Sequence, residues 1–411
     1  MIASRRSVPA PHRVALAALT AAWANSATAQ TTWTVTSATG IPAAIQAASP
    51  GDVIQLVASV APYEPFALDK GITLRGDGAR IGYWPGFSTF SISVAVPPGQ
   101  VAHIEDIDLT SAYSPYGGGS CQVNVSSGTV RFEQTAFGTG NGPALQVLAG
   151  DVVLLDCTAT AWVDVLPDAP IVVNGGSLTM SGCSVTATHD ACHPVGCFVG
   201  QVGASPALSA NGGSVHAQFC TFTGGDHTGV GGAVGDGASA VAVSGASATF
   251  AACTFVGGDS ANGAGGAALS NTGPNPLALR GAVLQPGAPG GAASQGLADL
   301  NAPLVTLQGN PAWTVGATST LTVTGTTSAP FAVFYAPDTA PTSGAPLVPE
   351  PIWATTGFNI RSGLLDATGS GASALAIPNV TALTGHTLLL QAFSLATSTV
   401  NGSTPIGGLV R

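Results

Sequence analysis

Three stretches of fifteen residues decide the fold of this chain, because they align with one another without gaps. They read IVVNGGSLTMSGCSV at residues 171–185, LSANGGSVHAQFCTF at residues 208–222 and VAVSGASATFAACTF at residues 241–255. In each stretch, apolar residues recur at offsets of −7, −5, 0, +2, +5 and +7 from a central position. A step of two keeps side chains on one face of an extended strand, and the odd steps interrupt that alternation. The pattern therefore predicts units of three short strands separated by bends.

The same template fits two earlier units, at residues 123–137 and 145–159. Successive central positions are 22, 26, 37 and 33 residues apart, so only the connecting loops vary in length. The central positions of the five units are Val130, Val152, Leu178, Val215 and Ala248. A strand unit that repeats in this way, with loops inserted at one corner, predicts a parallel β-helix.

A β-sandwich is the alternative, because its hairpins favour Asn-Gly turns. Such pairs occur at residues 174–175 and 211–212, but both occupy the same template position, as a repeated bend requires. Weaker units extend the repeat upstream and downstream. At the N-terminal end, residues 41–49 read as a short apolar helix with Pro42 near its first turn. This helix is predicted to cap the open end of the solenoid.

Composition excludes several classes of protein. Charged residues make up 7% of the 411-residue chain, and hydrophobic residues make up 45%, which is the reverse of a disordered composition. The formal net charge of −10 leaves no basic surface for nucleic acid. No segment is long and apolar enough to predict a transmembrane helix. We expect a monomer.

The N-terminal residues have the pattern of an export signal. Arg5, Arg6 and Arg13 form a basic region ahead of a short apolar stretch at residues 14–22, and small residues stand before Gln30. We therefore expect residues 1–29 to be a signal peptide and the protein to be secreted, extracellular or associated with the cell surface.

The resemblance to a known superfamily rests on residues 41–56, 63–66 and 70–76, and on the segments CTFTGGD at residues 220–226 and CTFVGGD at residues 253–259. These segments resemble the cap and coils of secreted right-handed parallel β-helix proteins of the pectate-lyase-like superfamily, in a non-catalytic branch. The resemblance implies an all-β, right-handed parallel β-helix over residues 30–300, with its helical cap at about residues 40–50. It implies no single activity, because the superfamily contains lyases, hydrolases, adhesins and inert scaffolds.

Residues 301–411 are predicted to form a second domain, because the template is absent there. Strand-like runs separated by Thr, Ser, Gly and Pro predict a small antiparallel β-sandwich. These runs cover residues 304–308, 318–325, 331–335, 374–377 and 387–392. This domain could cap the open end of the β-helix, attach the protein, act in sorting, or be a spacer.

Six of the seven cysteines fall into two groups, and Cys121 is assigned to neither. Cys192 and Cys197 lie five residues apart, and we expect them to form a disulfide bond in an oxidising compartment. A Cys/His metal site is the alternative, because His189 and His193 lie beside them. A second group shares template position +5 and is predicted to form a buried column of free thiols, in preference to disulfides. Its members are Cys157, Cys183, Cys220 and Cys253.

Candidate functional residues lie in the loops that follow the third strand of each unit. Asp190, Asp226 and Asp259 stand six or seven residues after a column cysteine, so they are predicted to form a ligand-binding face along the helix. Such carboxylates could hold Ca²⁺ or act as an acid–base pair. They could also be turn residues that bind their own backbone. Other polar residues of the same loops are His189, His193, His227 and Asp236.

The functional prediction depends on what the chain lacks. The superfamily's lyases use basic residues to abstract a proton and to hold substrate carboxylates, yet Arg131 is the one Lys or Arg between residues 82 and 279. It stands between two inward positions and is predicted to point outward. We therefore expect a secreted scaffold or binding protein that contacts extracellular polysaccharide or a cell-surface glycan. The alternative is a polysaccharide lyase or glycoside hydrolase that uses the loop carboxylates.

Overall fold

The computed structural model describes most of the chain from Gln30 onward. The described residues are 30–57, 62–82, 90–110, 121–140, 142–161, 168–187, 204–229, 234–300, 304–309, 313–336, 352, 359–377, 379, 387–396, 399–403 and 405–410. The predicted signal peptide at residues 1–29 lies outside them. No helix in these ranges is long and apolar enough to cross a membrane.

The first part of the chain is a parallel β-helix whose strands stack in three columns, as the repeat predicts. Column one contains β1 (Thr32–Val35), β2 (Val53–Leu56), β4 (Thr73–Arg80), β6 (Val101–Thr110), β8 (Thr129–Glu133), β11 (Asp151–Leu155), β14 (Ser177–Ser181), β17 (Ser214–Gln218), β20 (Ser247–Ala251), β23 (Leu277–Arg280) and β26 (Ala298–Asp299). Column two continues from the end of β6 through β9 (Ala136–Thr139), β12 (Thr158–Ala161), β15 (Ser184–Thr186), β18 (Thr221–Thr223), β21 (Thr254–Val256) and β24 (Val283–Gln285).

Column three forms a separate nine-stranded sheet. It contains β3 (Ala67–Leu68), β5 (Phe90–Ala95), β7 (Cys121–Ser127), β10 (Leu145–Val147), β13 (Ile171–Val173), β16 (Leu208–Ala210), β19 (Val241–Val243), β22 (Leu269–Asn271) and β25 (Ser294–Gln295). All the pairings within the three columns are parallel. Each coil therefore runs from column three through column one to column two.

The predicted register is confirmed residue by residue. Val130 pairs with Val152, Val152 with Leu178, Leu178 with Val215, and Val215 with Ala248. All five side chains are at most 3% exposed, so the central positions form one buried column.

The bend between columns one and two takes the same backbone conformation in successive coils. Residues at template position +4 have φ between 50° and 68° in five coils, whatever their type: Gln134, Asp156, Gly182, Phe219 and Ala252. A left-handed residue at this position reverses the alternation of side chains, so positions 0 and +7 both face inward. The odd step in the sequence template is the signature of this bend.

The cysteine column follows from that bend. Cys157, Cys183, Cys220 and Cys253 are buried, and each thiol donates to the carbonyl oxygen two residues before it, at 3.2–3.4 Å. The Thr135 hydroxyl makes the same contact at 3.1 Å in an earlier coil. Position +5 thus takes a small side chain that can donate a hydrogen bond to the bend.

The prediction of buried free thiols is confirmed for these four cysteines, and Cys121 is also buried and free. Burial raises the pKa of Cys157 and of Cys220, which keeps their thiols neutral. Cys192 and Cys197 lie outside the described residues, so their disulfide stays a prediction.

A helix closes the N-terminal end of the β-helix. Helix α1 (Gly40–Ala47) buries Ile41 and Ile45 against the first coil. Lys70 Nζ donates to the carbonyl oxygens of Ile45, Gln46 and Ala48 at 2.8–3.0 Å, which satisfies the C-terminal end of the helix. The helix therefore covers strand edges that would otherwise be open.

The C-terminal domain contains two antiparallel sheets, as predicted. One sheet contains β27 (Thr306–Gly309), β28 (Thr318–Thr324) and β31 (Ser370–Ala376). The other contains β29 (Pro330–Ala336), β30 (Asn359–Leu364), β32 (Thr387–Ala396), β33 (Thr399–Gly402) and β34 (Ile406–Leu409). Buried residues of both sheets, among them Leu321, Val323, Phe331 and Val333, share one core with Trp313.

Candidate functional site

The loop carboxylates that the sequence singles out bind the backbone of the next coil. The backbone N–H of Asp259 donates to Asp226 Oδ1 at 2.7 Å, and the N–H of Ala288 donates to Asp259 Oδ1 at 2.7 Å. Asp236 makes the same kind of contact, accepting from the N–H of Ala264 at 2.8 Å. Each carboxylate thus links two coils of the solenoid. This role differs from the binding of its own backbone that the turn-residue alternative expects.

The register places Asp226 and Asp259 in adjacent coils at one corner of the helix, together with His227. His227 is 3% exposed, and its backbone N–H donates to the carbonyl oxygen of Asp259 at 2.8 Å. The bridge between His227 and Ser260 continues the stacking of the two loops. Asp190, His189 and His193 lie outside the described residues.

In the part of the chain that the structure describes, no three His, Cys, Asp or Glu side chains lie close enough together to hold a metal ion. Asp226 is half-buried and Asp259 is exposed, and each uses one carboxylate oxygen for a backbone amide. The Ca²⁺ site proposed for Asp190, Asp226 and Asp259 therefore stays a prediction.

A second surface, which the sequence analysis missed, is the outward side of column two. We call it the hydroxyl face and define it as Thr158, Thr160, Ser184, Thr186, Thr221, Thr223 and Thr254. These residues alternate with the buried anchors Ala159, Val185, Phe222 and Phe255, so they point away from the core. The signal was in the sequence, at template positions +6 and +8.

Strand pairing arranges the hydroxyl face in two files. Thr158, Ser184, Thr221 and Thr254 stack in one file, and Thr160, Thr186 and Thr223 stack in the other. Adjacent strands of a sheet lie about 4.8 Å apart, and residues two apart on a strand lie about 6.6 Å apart. The hydroxyls therefore form a regular, uncharged array on one sheet.

The hydroxyl face is accessible. Thr158, Ser184 and Thr221 are exposed, and the other four members are half-buried. Within the described residues, their side chains make no hydrogen bond, in contrast to the loop carboxylates. These seven hydroxyls can therefore donate hydrogen bonds to solvent or a ligand and accept hydrogen bonds from them.

Column three has a polar bend whose side chains bind one another instead. Asn211 Nδ2 donates to Asn174 Oδ1 at 3.0 Å, and the Ser244 hydroxyl donates to Asn211 Oδ1 at 3.1 Å. These amides form an internal ladder from coil to coil. Because these side chains use hydrogen-bonding groups on one another, fewer of those groups are available to a ligand than on the hydroxyl face.

The outward side of column one is covered by the C-terminal domain. Val153 and Leu155 pack with Leu389, and Gln218 Nε2 donates to the carbonyl oxygen of Leu307 at 3.3 Å. Arg280 donates to the carbonyl oxygens of Leu304 and Gly325. This contact lies on the flank of the β-helix, and the roles considered for the domain, as a cap of the open end, an attachment, a sorting element or a spacer, stay predictions.

Several charged and titratable side chains lie on the outward side of column one. Arg131 faces away from the β-helix core, as predicted, but it is 0% exposed. Burial lowers the pKa of its guanidinium to about 9, although Tyr335 and Glu133 partly oppose this shift. His103 Nε2 lies 3.3 Å from Glu133 Oε2, and Arg75 Nε donates to Glu105 Oε2 at 2.9 Å.

Comparison with known proteins adds no functional assignment. Neither a protein-family model nor a curated protein matches the chain. Among solved structures, ORF18 of Geobacillus virus E2 matches with a TM-score of 0.28 and 10% identity, over 81% of this chain and 76% of that one. Superoxide reductase (neelaredoxin) from Ignicoccus hospitalis matches with a TM-score of 0.18 and 9% identity, over 26% of this chain and 80% of that one. Both TM-scores are too low to support an argument about fold or function.

Proposed function

We propose that the protein is a secreted β-helix scaffold of the pectate-lyase-like superfamily that binds extracellular or cell-surface carbohydrate through its hydroxyl face. The observation that carries this proposal is the accessible array of hydroxyls on column two, which have no partner among the described residues. A surface that repeats along the solenoid suits a ligand that repeats too.

The chemistry of the array favours a neutral polysaccharide. A hydroxyl both donates and accepts, so it can match the hydroxyls of a sugar in either role. The formal net charge of the chain is −10, which disfavours anionic chains by repulsion. Many weak contacts along one strand of polysaccharide add through effective concentration, so no single deep pocket is needed.

The enzymatic alternative has less support from the described residues. Asp226 and Asp259 are bound to backbone amides of the next coil, and the outward carboxylates Glu105 and Glu133 are only 1% and 5% exposed. Formation of unsaturated or reducing sugar products, lost in Asp226→Ala, would establish that alternative.

The test is cosedimentation of the protein with insoluble neutral polysaccharides. The variant Thr160→Val/Thr186→Val/Thr223→Val removes three hydroxyls while keeping β-branched side chains. At about 0.5–1.5 kcal/mol for each hydrogen bond, the loss of affinity should be tenfold or more. The matched control, Thr→Ser at the same three positions, retains the hydroxyls and should bind like the wild type.

Two further arms separate the two candidate surfaces. Asp226→Asn removes a loop charge and should leave binding unchanged if the hydroxyl face is the site. Chelation of Ca²⁺ should likewise have no effect on the hydroxyl-face interaction. Binding that needs Ca²⁺ and is lost in Asp226→Asn, but survives the triple Val variant, would place the site at the loop carboxylates instead.

A further inference from the structure

Phe219 is a large aromatic residue in a backbone conformation that suits glycine. Its φ is 52°, in the left-handed region that the bend requires at template position +4. The preceding coil has Gly182 at this position, and the coil before that has Asp156. A bulky side chain is strained in this region, whereas glycine adopts it freely and aspartate tolerates it. Strained residues that persist are concentrated at functional sites.

Among the described residues, Phe219 contributes to no hydrophobic core. It is half-buried, and the apolar clusters of the described chain do not include it. Phe222, in the same coil, packs in the core against Phe250 and Phe255. In the part of the chain that the structure describes, Phe219 makes no ring contact of this kind. Core packing therefore does not explain why an aromatic residue occupies the bend.

Phe219 borders the hydroxyl face. It stands at the bend between columns one and two, directly before the buried Cys220, and Thr221 is the next outward residue of its coil. On its other side, Gln218 donates to a carbonyl oxygen of the C-terminal domain. Phe219 therefore lies at the boundary between the flank that this domain covers and the accessible hydroxyls. An aromatic ring can pack on the apolar C–H face of a sugar while neighbouring hydroxyls bind its polar groups.

The hydroxyl face is longer along the helix axis than across it. The file of Thr158, Ser184, Thr221 and Thr254 runs through successive coils over about 14 Å, at the spacing of paired strands. Across the axis, each of these strands has only the outward positions +6 and +8. A ligand chain that lies along the axis therefore contacts hydroxyls in every coil of the file, whereas a chain that crosses the axis contacts those of one coil.

The file also has a defined length. Thr158 pairs with Ala136 in the preceding coil, and Thr254 pairs with Val283 in the following one, so the hydroxyls stop at both ends. The spacing between adjacent coils is close to the length of one sugar in an extended β-linked chain, so the file corresponds to about four sugars. A coiled, α-linked chain does not keep successive sugars in line.

We propose that the hydroxyl face binds an extended, β-linked neutral glycan that lies along the helix axis, and that Phe219 stacks on one of its sugars. This inference rests on the proposed function. It adds the linkage of the glycan, its direction on the surface and an aromatic contact.

Titration calorimetry with oligosaccharides of increasing length tests the linkage and the direction. Cello-oligosaccharides and N-acetylchito-oligosaccharides are extended and β-linked. In at least one of these series, affinity should rise about two- to tenfold with each added sugar and level off at about four sugars. Malto-oligosaccharides, which are α-linked, should bind about tenfold more weakly at equal length. Affinity that does not change with length, or equal affinity for the α-linked series, overturns the inference.

The variant Phe219→Leu keeps an apolar side chain at the bend but removes the ring. The dissociation constant of the tightest oligosaccharide should rise about two- to tenfold. Phe393→Leu is the matched control, because Phe393 is also half-buried but lies in the C-terminal domain. It should bind like the wild type.

The variant Phe219→Gly separates a binding role from a structural one. Glycine should weaken binding as leucine does, yet the melting temperature should not fall below that of the wild type, because glycine relieves the left-handed strain. A lower melting temperature with unchanged affinity would show that Phe219 supports the fold, and would overturn the inference.

Failure of this inference is distinguishable from failure of the proposed function. If both Phe219 variants bind like the wild type while Thr160→Val/Thr186→Val/Thr223→Val loses binding, the inference fails and the hydroxyl face stands. A wild type that binds no neutral polysaccharide overturns the proposed function, and this inference with it.

Discussion

The β-helix and the C-terminal domain are both β structures, but their sequences determine them in different ways. In the β-helix, one template fixes the register of five successive coils, and Val130, Val152 and Leu178 stack as it requires. In the C-terminal domain, strands pair antiparallel without a repeat, as Leu321 with Ser373 and Val333 with Ala392. A repeated sequence pattern therefore predicts both the strands and the residues that pair between them. In a domain without a repeat, the sequence predicts the strands but not which residues pair.

Introducing a buried charge into each region tests whether the β-helix and the C-terminal domain unfold independently. These substitutions have the largest expected effect on stability. Val152→Asp puts an unpaired carboxylate into the central column, where it should cost at least about 4 kcal/mol and unfold the β-helix. Val323→Asp, at a position 1% exposed in the C-terminal core, should unfold that domain alone. Circular dichroism melts with limited proteolysis distinguish the outcomes. Loss of both regions in Val323→Asp would mean that they fold as one unit.

A glycine pair compares stacked coils with an ordinary turn. Gly150 has a φ of +81°, and a Cβ there would lie 2.4 Å from the carbonyl oxygen of Gly128 in the preceding coil. Gly316 in the C-terminal domain has a φ of +79°, but its Cβ would meet nothing closer than 3.5 Å. Gly150→Ala should therefore cost about 3 kcal/mol and Gly316→Ala about 1 kcal/mol. Urea unfolding measures both, and equal losses would contradict the close stacking.

An arginine pair tests the contact between the two regions. Arg280 binds the carbonyl oxygens of Leu304 and Gly325 across the contact, whereas Arg361 binds Ala374 within the C-terminal domain. Arg280→Ala should weaken docking by about 1.5–3 kcal/mol without lowering the melting temperature of the β-helix. Proteolysis of the C-terminal domain should accelerate in this variant and stay near the wild-type rate in Arg361→Ala. No acceleration would show that the apolar contacts hold the domain.

The smallest expected effect is a pH dependence within the β-helix. Desolvation raises the pKa of Asp156 to about 6, and the nearby Cys183 and Glu133 add to this shift. The folded state therefore holds the proton more tightly than the unfolded state, so stability should fall as pH rises from about 4 to 6 and then level off. The side chain is exposed, so screening keeps the change below about 1 kcal/mol. Asp156→Asn should flatten the profile between these pH values in melts of the wild type and variant.

The parts of the molecule that the sequence predicts are those set by local spacing. The step from 0 to +5 predicts a bend, and the left-handed conformation of Gln134, Asp156 and Ala252 is its physical cause. The thiol column follows for the same reason, since Cys183 and Thr135 make equivalent contacts with the bend.

Contacts between distant parts of the chain could not be predicted. Arg131 faces outward as its template position requires, yet a domain about 200 residues later in the sequence buries it. No local pattern records that docking, because it depends on the shapes of two finished surfaces. Asp226 and Asp259 lie in adjacent loops at one corner, but their acceptance of backbone N–H groups from the next coil depends on loop geometry that the template does not describe.

The closed N-terminal end has a consequence for how the chain acquires its structure during synthesis. Helix α1 and the first coil are the earliest part of the β-helix to be translated, and within the β-helix each later coil pairs only with the coils next to it. A nascent chain can therefore add one coil at a time onto an existing edge, with no need for coils that have yet to be made, and the C-terminal domain docks afterwards. In a circularly permuted chain in which helix α1 is translated last, this order of growth would be lost. The early coils would expose strand edges at both ends until the helix was made.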